Sequence, residues 1–216
     1  MQQVYLDNSS TTKVCREAVN AVIKTMTETF GNPSSLHSIG FAAERALADA
    51  RTQVASVLSA KPEEITFTSG GTESNNLAVF GAAQSRRKRG NRIVTTAIEH
   101  PSVLIPMQQL ERQGFEVVYL QPDKSGHIEP QQLFDAVNAH TILVSMMAVN
   151  NEVGSILPID AARTAIDRAQ APALLHVDAV QAFGKLNLRP GRRGIDLMTV
   201  SSHKIHGPKG AGALFI

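Results

Sequence analysis

The 216 residues carry a formal net charge of +2 and are 43% hydrophobic. Such a composition excludes disorder and supplies one α/β core or slightly more, and so small a net charge provides no single-sign field of the kind that draws nucleic acid. The lone cysteine, Cys15, excludes an internal disulfide, no apolar run approaches the roughly 18–20 residues of a membrane span, and the opening MQQVYLDNSS lacks a secretory pattern, so a cytoplasmic location is expected.

In chain order, an extended start at 4–6 leads to a helical pattern over 15–29, in which Ala18, Val19, Val22, Ile23 and Met26 share one face. Cys15, at its start, reads as a small core residue. The turn-rich FGNPSS at 30–35 separates this from a second helix that keeps Ala43, Ala46, Leu47, Ala50, Val54 and Val57 in register and ends near Ser59, before Pro62. Short β-branched runs then follow at 65–68, 92–96, 116–120, 141–147, 173–177, 197–201 and 212–216. Amphipathic segments around 73–88, 101–113, 130–138 and 160–169 lie between the first five, which predicts a mostly parallel seven-stranded sheet covered by helices. The connection 202–211 is too short for a crossover helix, so the last strand should pair antiparallel.

Ligands of such sheets gather outside the carboxyl ends of the strands. Five loops there hold most of the unusual polar residues: SGGTE at 69–73, Glu99 and His100, NNE at 150–152, DAVQ at 178–181, and SSHKIHGPKG at 201–210. The Gly70–Gly71 pair can turn its N–H groups and a helix N-terminus toward an anion such as a phosphate, or can be an ordinary turn with Ser69 or Thr72 as the cap. Lys204 stands between His203 and His206 at the end of a buried run, surroundings that disfavour the charged amine and leave it nucleophilic toward an aldehyde. Lys13, Lys185 and Lys209 read as solvated.

Asp178 can hold a protonated heterocyclic nitrogen or cap a helix, and Gln181, three residues on, points the same way. His100 offers a flat ring or a titrating group, and Asn151 an amide hydrogen for a ligand oxygen. Glu99, His100, His176, Asp178, His203 and His206 also contain metal-ligand chemistry, but no HxxxH, HxH or CxxC spacing accompanies them and Lys204 would repel a cation, so no metal is expected. The basic run 86–89 falls at a helix end, where cations suit the macrodipole, with no second patch or aromatic platform for nucleic acid. Taken together, a phosphate cradle, a stacking ring, hydrogen-bond donors, an acid and an amine on one rim describe a site for pyridoxal 5'-phosphate.

The motifs YLDNSSTT (5–12), GNPSSLH (31–37), TSGGTESNN (68–76), EHPSV (99–103), VNNEVG (149–154), HVDAVQAFGK (176–185) and SSHKIHGPKGAGAL (201–214) resemble, in order and spacing, those of the pyridoxal-phosphate cysteine desulfurases of the class V aminotransferase group. The resemblance implies a fold-type-I large domain over 16–216, with helices on both faces of the sheet, and an N-terminal segment, 1–15, that packs with a small C-terminal domain absent from this chain. It implies covalent attachment of the cofactor at Lys204, stacking and proton movement by His100, a ring nitrogen held by Asp178 and a phenolic oxygen contacted by Gln181. Asn151 would lie near the ring and substrate, and phosphate would be bound by Gly71, Thr72, Ser201 and His203.

The implied reaction converts L-cysteine to L-alanine and passes sulfur to an enzyme cysteine, then to a sulfur-acceptor or scaffold protein for iron–sulfur cluster assembly. The implied state is a homodimer, with no nucleic-acid or membrane partner. The family's nucleophilic cysteine and carboxylate-binding arginine follow the position where this chain stops, so a truncated or split chain, binding cofactor without turnover, is expected. A selenocysteine lyase, another pyridoxal-dependent β-lyase, and a non-catalytic partner of a full-length enzyme are the alternatives.

Overall fold

The computed structural model describes residues 4–216. Seven strands form one sheet: β1 (Ile65–Thr68), β2 (Arg92–Thr96), β3 (Glu116–Leu120), β4 (Thr141–Met147), β5 (Leu174–Asp178), β6 (Leu197–Ser201) and β7 (Gly212–Phe215), in the order β1-β7-β6-β5-β4-β2-β3. The run from β3 to β6 is parallel, and β7 pairs antiparallel with both β6 and β1. The period-2 runs and the short final connection thus produce the expected sheet, with β5 displaced by one residue so that Asp178 is its last member.

Helices α1 (Arg16–Thr27), α2 (Ser38–Leu58), α3 (Gly71–Arg86), α4 (Pro101–Arg112), α5 (Pro130–Ala136), α6 (Ile159–Arg168) and the single turn α7 (Pro190–Arg193) make up the rest. Core residues lie on both faces of the sheet. Ile93 and Leu143 pack with Ala78, Val79, Val103 and Leu110 of α3 and α4, while their chain neighbours Val94 and Val144 pack with Leu58, Leu133 and Ile166 of α2, α5 and α6. Alternation of side chains along each strand divides the apolar residues between the two layers. Each fully buried leucine or isoleucine contributes roughly 1.5–3 kcal/mol by leaving water.

Residues 4–6 form an unpaired start, and the apolar patterns that follow are not matched by burial. Helix α1 forms where its periodicity places it, but no residue of it is buried: Val19, Val22, Ile23 and Met26 are 39–73% exposed, and Cys15 is an exposed thiol rather than a core residue. In α2 the buried residues are Gly40, Ala43, Ala55 and Leu58, with Val54 packed beside them, whereas Leu47 and Val57 are exposed. Only the C-terminal end of the helix, at Val54, Ala55 and Leu58, joins the apolar core.

Candidate active site

The carboxyl ends of β1, β2, β4, β5 and β6 open on a cavity of about 480 Å³. Gly71, Thr72, His100, Asn151, Asp178, Gln181, His203 and Lys204 all line it, together with the apolar Met147, Val149 and Val180. Ser201 is the exception among the expected residues. It is buried behind the lining, and its Oγ lies 2.7 Å from His203 Nδ1.

At one end of the cavity α3 begins. Its N-cap is Gly70, at φ +150° and ψ −175°, a conformation open essentially to glycine alone. Opposite it, a Cβ on Gly212 would come within 2.7 Å of Gly70 Cα, so β7 and this loop approach backbone to backbone. Neither Ser69 nor Thr72 caps the helix. The Ser69 N–H and hydroxyl both donate to Glu73 Oε2, each at 2.6 Å, and the backbone N–H groups of Gly71 and Thr72 have no acceptor among the described residues. An uncapped helix start with free N–H groups, facing a cavity that His203 also lines, suits a phosphate.

On the floor, Asp178 is buried. Its Oδ1 accepts from Val180 N–H at 2.9 Å and its Oδ2 from Asn75 Nδ2 at 2.7 Å. Burial pushes its carboxyl above the usual carboxylate range, against those two hydrogen bonds and the nearby His100 and Lys204. A protonated ring nitrogen would relieve that burden by pairing with the carboxylate. The same side chain is no helix cap, since only a turn follows it.

Lys204 enters from the short helical turn after β6. Its Nζ donates to Ser9 O and, at 2.8 Å, to Ser10 O. Partial burial, with the Lys185 cation adding to it, lowers the amine's pKa, partly offset by Asp7, Asp178 and Glu152. Burial, with Lys204 second, likewise lowers His203.

Sequence reasoning missed the wall made by residues 7–15. Thr12 N–H and Oγ1 both donate to His203 O at 2.8 Å, Cys15 N–H donates to His206 O at 2.9 Å, and Gln181 Nε2 donates to Ser9 O at 2.8 Å. This segment therefore closes one side of the cavity. Asn75 and Ser102 were missed as well, because a polar residue in the first turns of a helix looks like any other; the motifs YLDNSSTT, TSGGTESNN and EHPSV were the signals. Asn151 has its amide turned to Glu152 Oε1 at 2.7 Å.

Two other expected ligand types have structural places. His176 is fully buried between Ser145 Oγ (2.8 Å) and Thr199 Oγ1 (3.2 Å), and burial pushes its pKa down to about 3. Glu99 ties two strands together: its Oε1 accepts from Thr96 Oγ1 at 2.6 Å and from Met147 N–H at 2.9 Å, while Oε2 is buried without a partner. Burial, helped by the neighbouring Asp178 charge, pushes Glu99 up to about 8. The folded chain thus keeps a proton that the unfolded chain has lost, so the contribution of this group is greatest in acid and fades as pH climbs through that value. Glu99→Gln should therefore gain on the wild type between about pH 5 and about pH 8, at no more than about 1.4 kcal/mol per pH unit. Urea midpoints across that range check this, and parallel curves would contradict it.

The aminotransferase class-V model matches residues 4–216, and the chain belongs to that family. Among curated proteins it is 46% identical over 213 residues to a cysteine desulfurase IscS of Methanosarcina thermophila and 42% identical over 215 residues to one of Dictyoglomus turgidum. Those alignments cover 99% and 100% of this chain but 52% and 54% of the relatives, so the chain spans about half their length. Among solved structures, a NifS-like protein superposes with a TM-score of 0.96 at 40% identity, over 100% of this chain and 59% of the other. SspA in complex with cysteine superposes at 0.93 and 37% identity, over 99% and 61%.

Proposed function

We propose that this chain forms the cofactor-holding part of a pyridoxal-phosphate-dependent cysteine desulfurase, acting on L-cysteine and releasing L-alanine. One observation carries the reading: a buried carboxyl group, a partly desolvated amine and an uncapped helix start face one cavity. When bound, pyridoxal phosphate supplies an electron sink for the carbanion that follows loss of a substrate proton.

Each residue then has a task set by its chemistry. Lys204 would attach the cofactor through Nζ, its lowered basicity making the amine's unshared pair easier to expose. Asp178 would pair with the ring N–H and keep that proton in place, and Gln181 would contact the phenolic oxygen. His100 would cover the ring face, Asn151 would lie near the ring and substrate, and Gly71, Thr72 and His203 would hold the phosphate, with Ser201 bonded to His203 from behind the lining. Cys15 does not line the cavity, so the thiol that takes the sulfur comes from elsewhere. Residues 16–216 would be the cofactor-binding large domain, and 1–15 would pack with a further small domain. A homodimer, a cytoplasmic location and a sulfur-acceptor protein belong to the same proposal as what the family resemblance implies; among the described residues no helix is long and apolar enough to cross a membrane.

The test is to add pyridoxal phosphate to the purified chain and follow visible absorbance, then add cysteine and assay alanine and persulfide. Stoichiometric uptake of the cofactor is expected, and a chain that stays colourless would sink the proposal.

A further inference from the structure

His100 is the cap of α4: its Nδ1 accepts from Ser102 N–H at 3.1 Å, and Ser102 Oγ lies 2.7 Å from the same nitrogen. A backbone N–H can only donate, and Nδ1 has one in-plane lone pair, so a hydrogen on Nδ1 would face another hydrogen. The hydroxyl follows suit. Asn75 Nδ2 lies 2.8 Å from Ser102 Oγ and 2.7 Å from Asp178 Oδ2, and its two hydrogens serve these two acceptors. The amide orientation is fixed by Asp178, because the flipped amide would set Oδ1 against a carboxylate oxygen. Ser102 Oγ, already receiving from Asn75, directs its own hydrogen to His100. Both Asn75 and Ser102 are buried, at 1% and 7% exposure, which shelters the chain of bonds from water.

We infer that Asn75 and Ser102 are positioning residues that link Asp178 to His100 and fix the ring with its proton on Nε2. His100 then presents a hydrogen-bond donor to the cavity, since Nε2 has no protein partner among the described residues. The two ends of the chain also move together. A ligand that draws on the Asp178 carboxylate loosens its hold on Asn75, and Ser102 and His100 feel the change.

This inference rests on the proposed function for its purpose, though the bonding pattern can be tested without the cofactor. The chain, labelled with nitrogen-15 histidine and without added pyridoxal phosphate, is examined by long-range proton–nitrogen correlation, with the His100 signals assigned by their loss in His100→Gln. The expected ring has a bare Nδ1 and a protonated Nε2. Ser102→Ala should shift both ring nitrogens toward the averaged values of an exchanging imidazole, Asn75→Ala should shift them in the same direction by less, and Ser102→Thr should restore the wild-type pair. A wild-type ring protonated on Nδ1 overturns the inference, as does a Ser102→Ala chain that is folded by circular dichroism yet has unchanged ring signals. Unchanged signals in folded Asn75→Ala remove Asn75 from the link; if that variant does not fold, the wild-type and Ser102 spectra decide. A parallel titration with pyridoxal phosphate separates the two proposals. The expected ring without uptake defeats the proposed function alone, and uptake by a chain with the wrong ring proton defeats this inference alone.

Discussion

Lys204→Ala should fold and yet retain no cofactor after dialysis, against near-stoichiometric retention by the wild type. The reasoning starts from what the amine does in the absence of a ligand. It makes two hydrogen bonds to backbone carbonyls, Ser9 O and Ser10 O, and these oxygens lie at the mouth of the cavity where water can replace the ammonium. Stability should therefore change little, on the order of 1 kcal/mol. Retention, by contrast, depends on a covalent bond that only this side chain can make within the cavity, because Lys185 and Lys209 do not line it. Borohydride treatment followed by mass measurement reads the difference directly: the wild type keeps the added mass and the variant does not. A variant that keeps the mass places the attachment on another lysine.

Asp178→Asn has the second large effect, on affinity rather than attachment. The carboxylate is buried with two donors, Val180 N–H and Asn75 Nδ2, and has capacity for one more charged partner. Asparagine fills the same space with one acceptor oxygen, which can keep the Val180 N–H, while its amide nitrogen can donate to Asn75 once that amide flips to present its unpaired Oδ1, so the fold is kept. Removing one member of a buried hydrogen-bonded charge pair costs about 2–5 kcal/mol, which is roughly a 30-fold to several-thousand-fold weaker hold on pyridoxal phosphate. Equilibrium titration measures this, and the bound cofactor's ring nitrogen should be unprotonated by nitrogen-15 resonance. Equal affinity in the two proteins would mean that the carboxyl group and the ring nitrogen do not meet.

The sheet was legible because two periods compete visibly in this sequence. Runs such as RIVTT and TILVSMM are too short and too β-branched for helices, and the segments between them repeat every three to four residues. The rim was legible for a related reason: a parallel sheet sends every loop of one kind to one end, so Asp178, His100 and Lys204 could be placed together from strand boundaries alone. Helix α1 shows where this method stops. Periodicity reports that a helix has an apolar face, and says nothing of whether this chain covers it; Val22, Ile23 and Met26 stay in water. Cys15 was misjudged by the same logic, its residue type being buried on average.

Asn75 and Ser102 were illegible for a different reason. Their part is set by an amide and a hydroxyl that meet across 27 residues of sequence, and by an aspartate 103 residues away from the amide. No local pattern carries that information. The wall of residues 7–15 is still more distant, since Lys204 Nζ reaches back across 195 positions to Ser9.

That span has a consequence for how the protein is made. A nascent chain emerges from the ribosome at about 5–20 residues per second, so the segment that will close the cavity waits on the order of ten seconds or more for its anchor. During that time the sheet can only be partly built, for β1 lacks its β7 neighbour, Ile65 opposite Phe215, until that strand has emerged. The pocket thus acquires its shape only after both the N-terminal segment and Lys204 have emerged, and cofactor uptake reports that long-range closure rather than local folding.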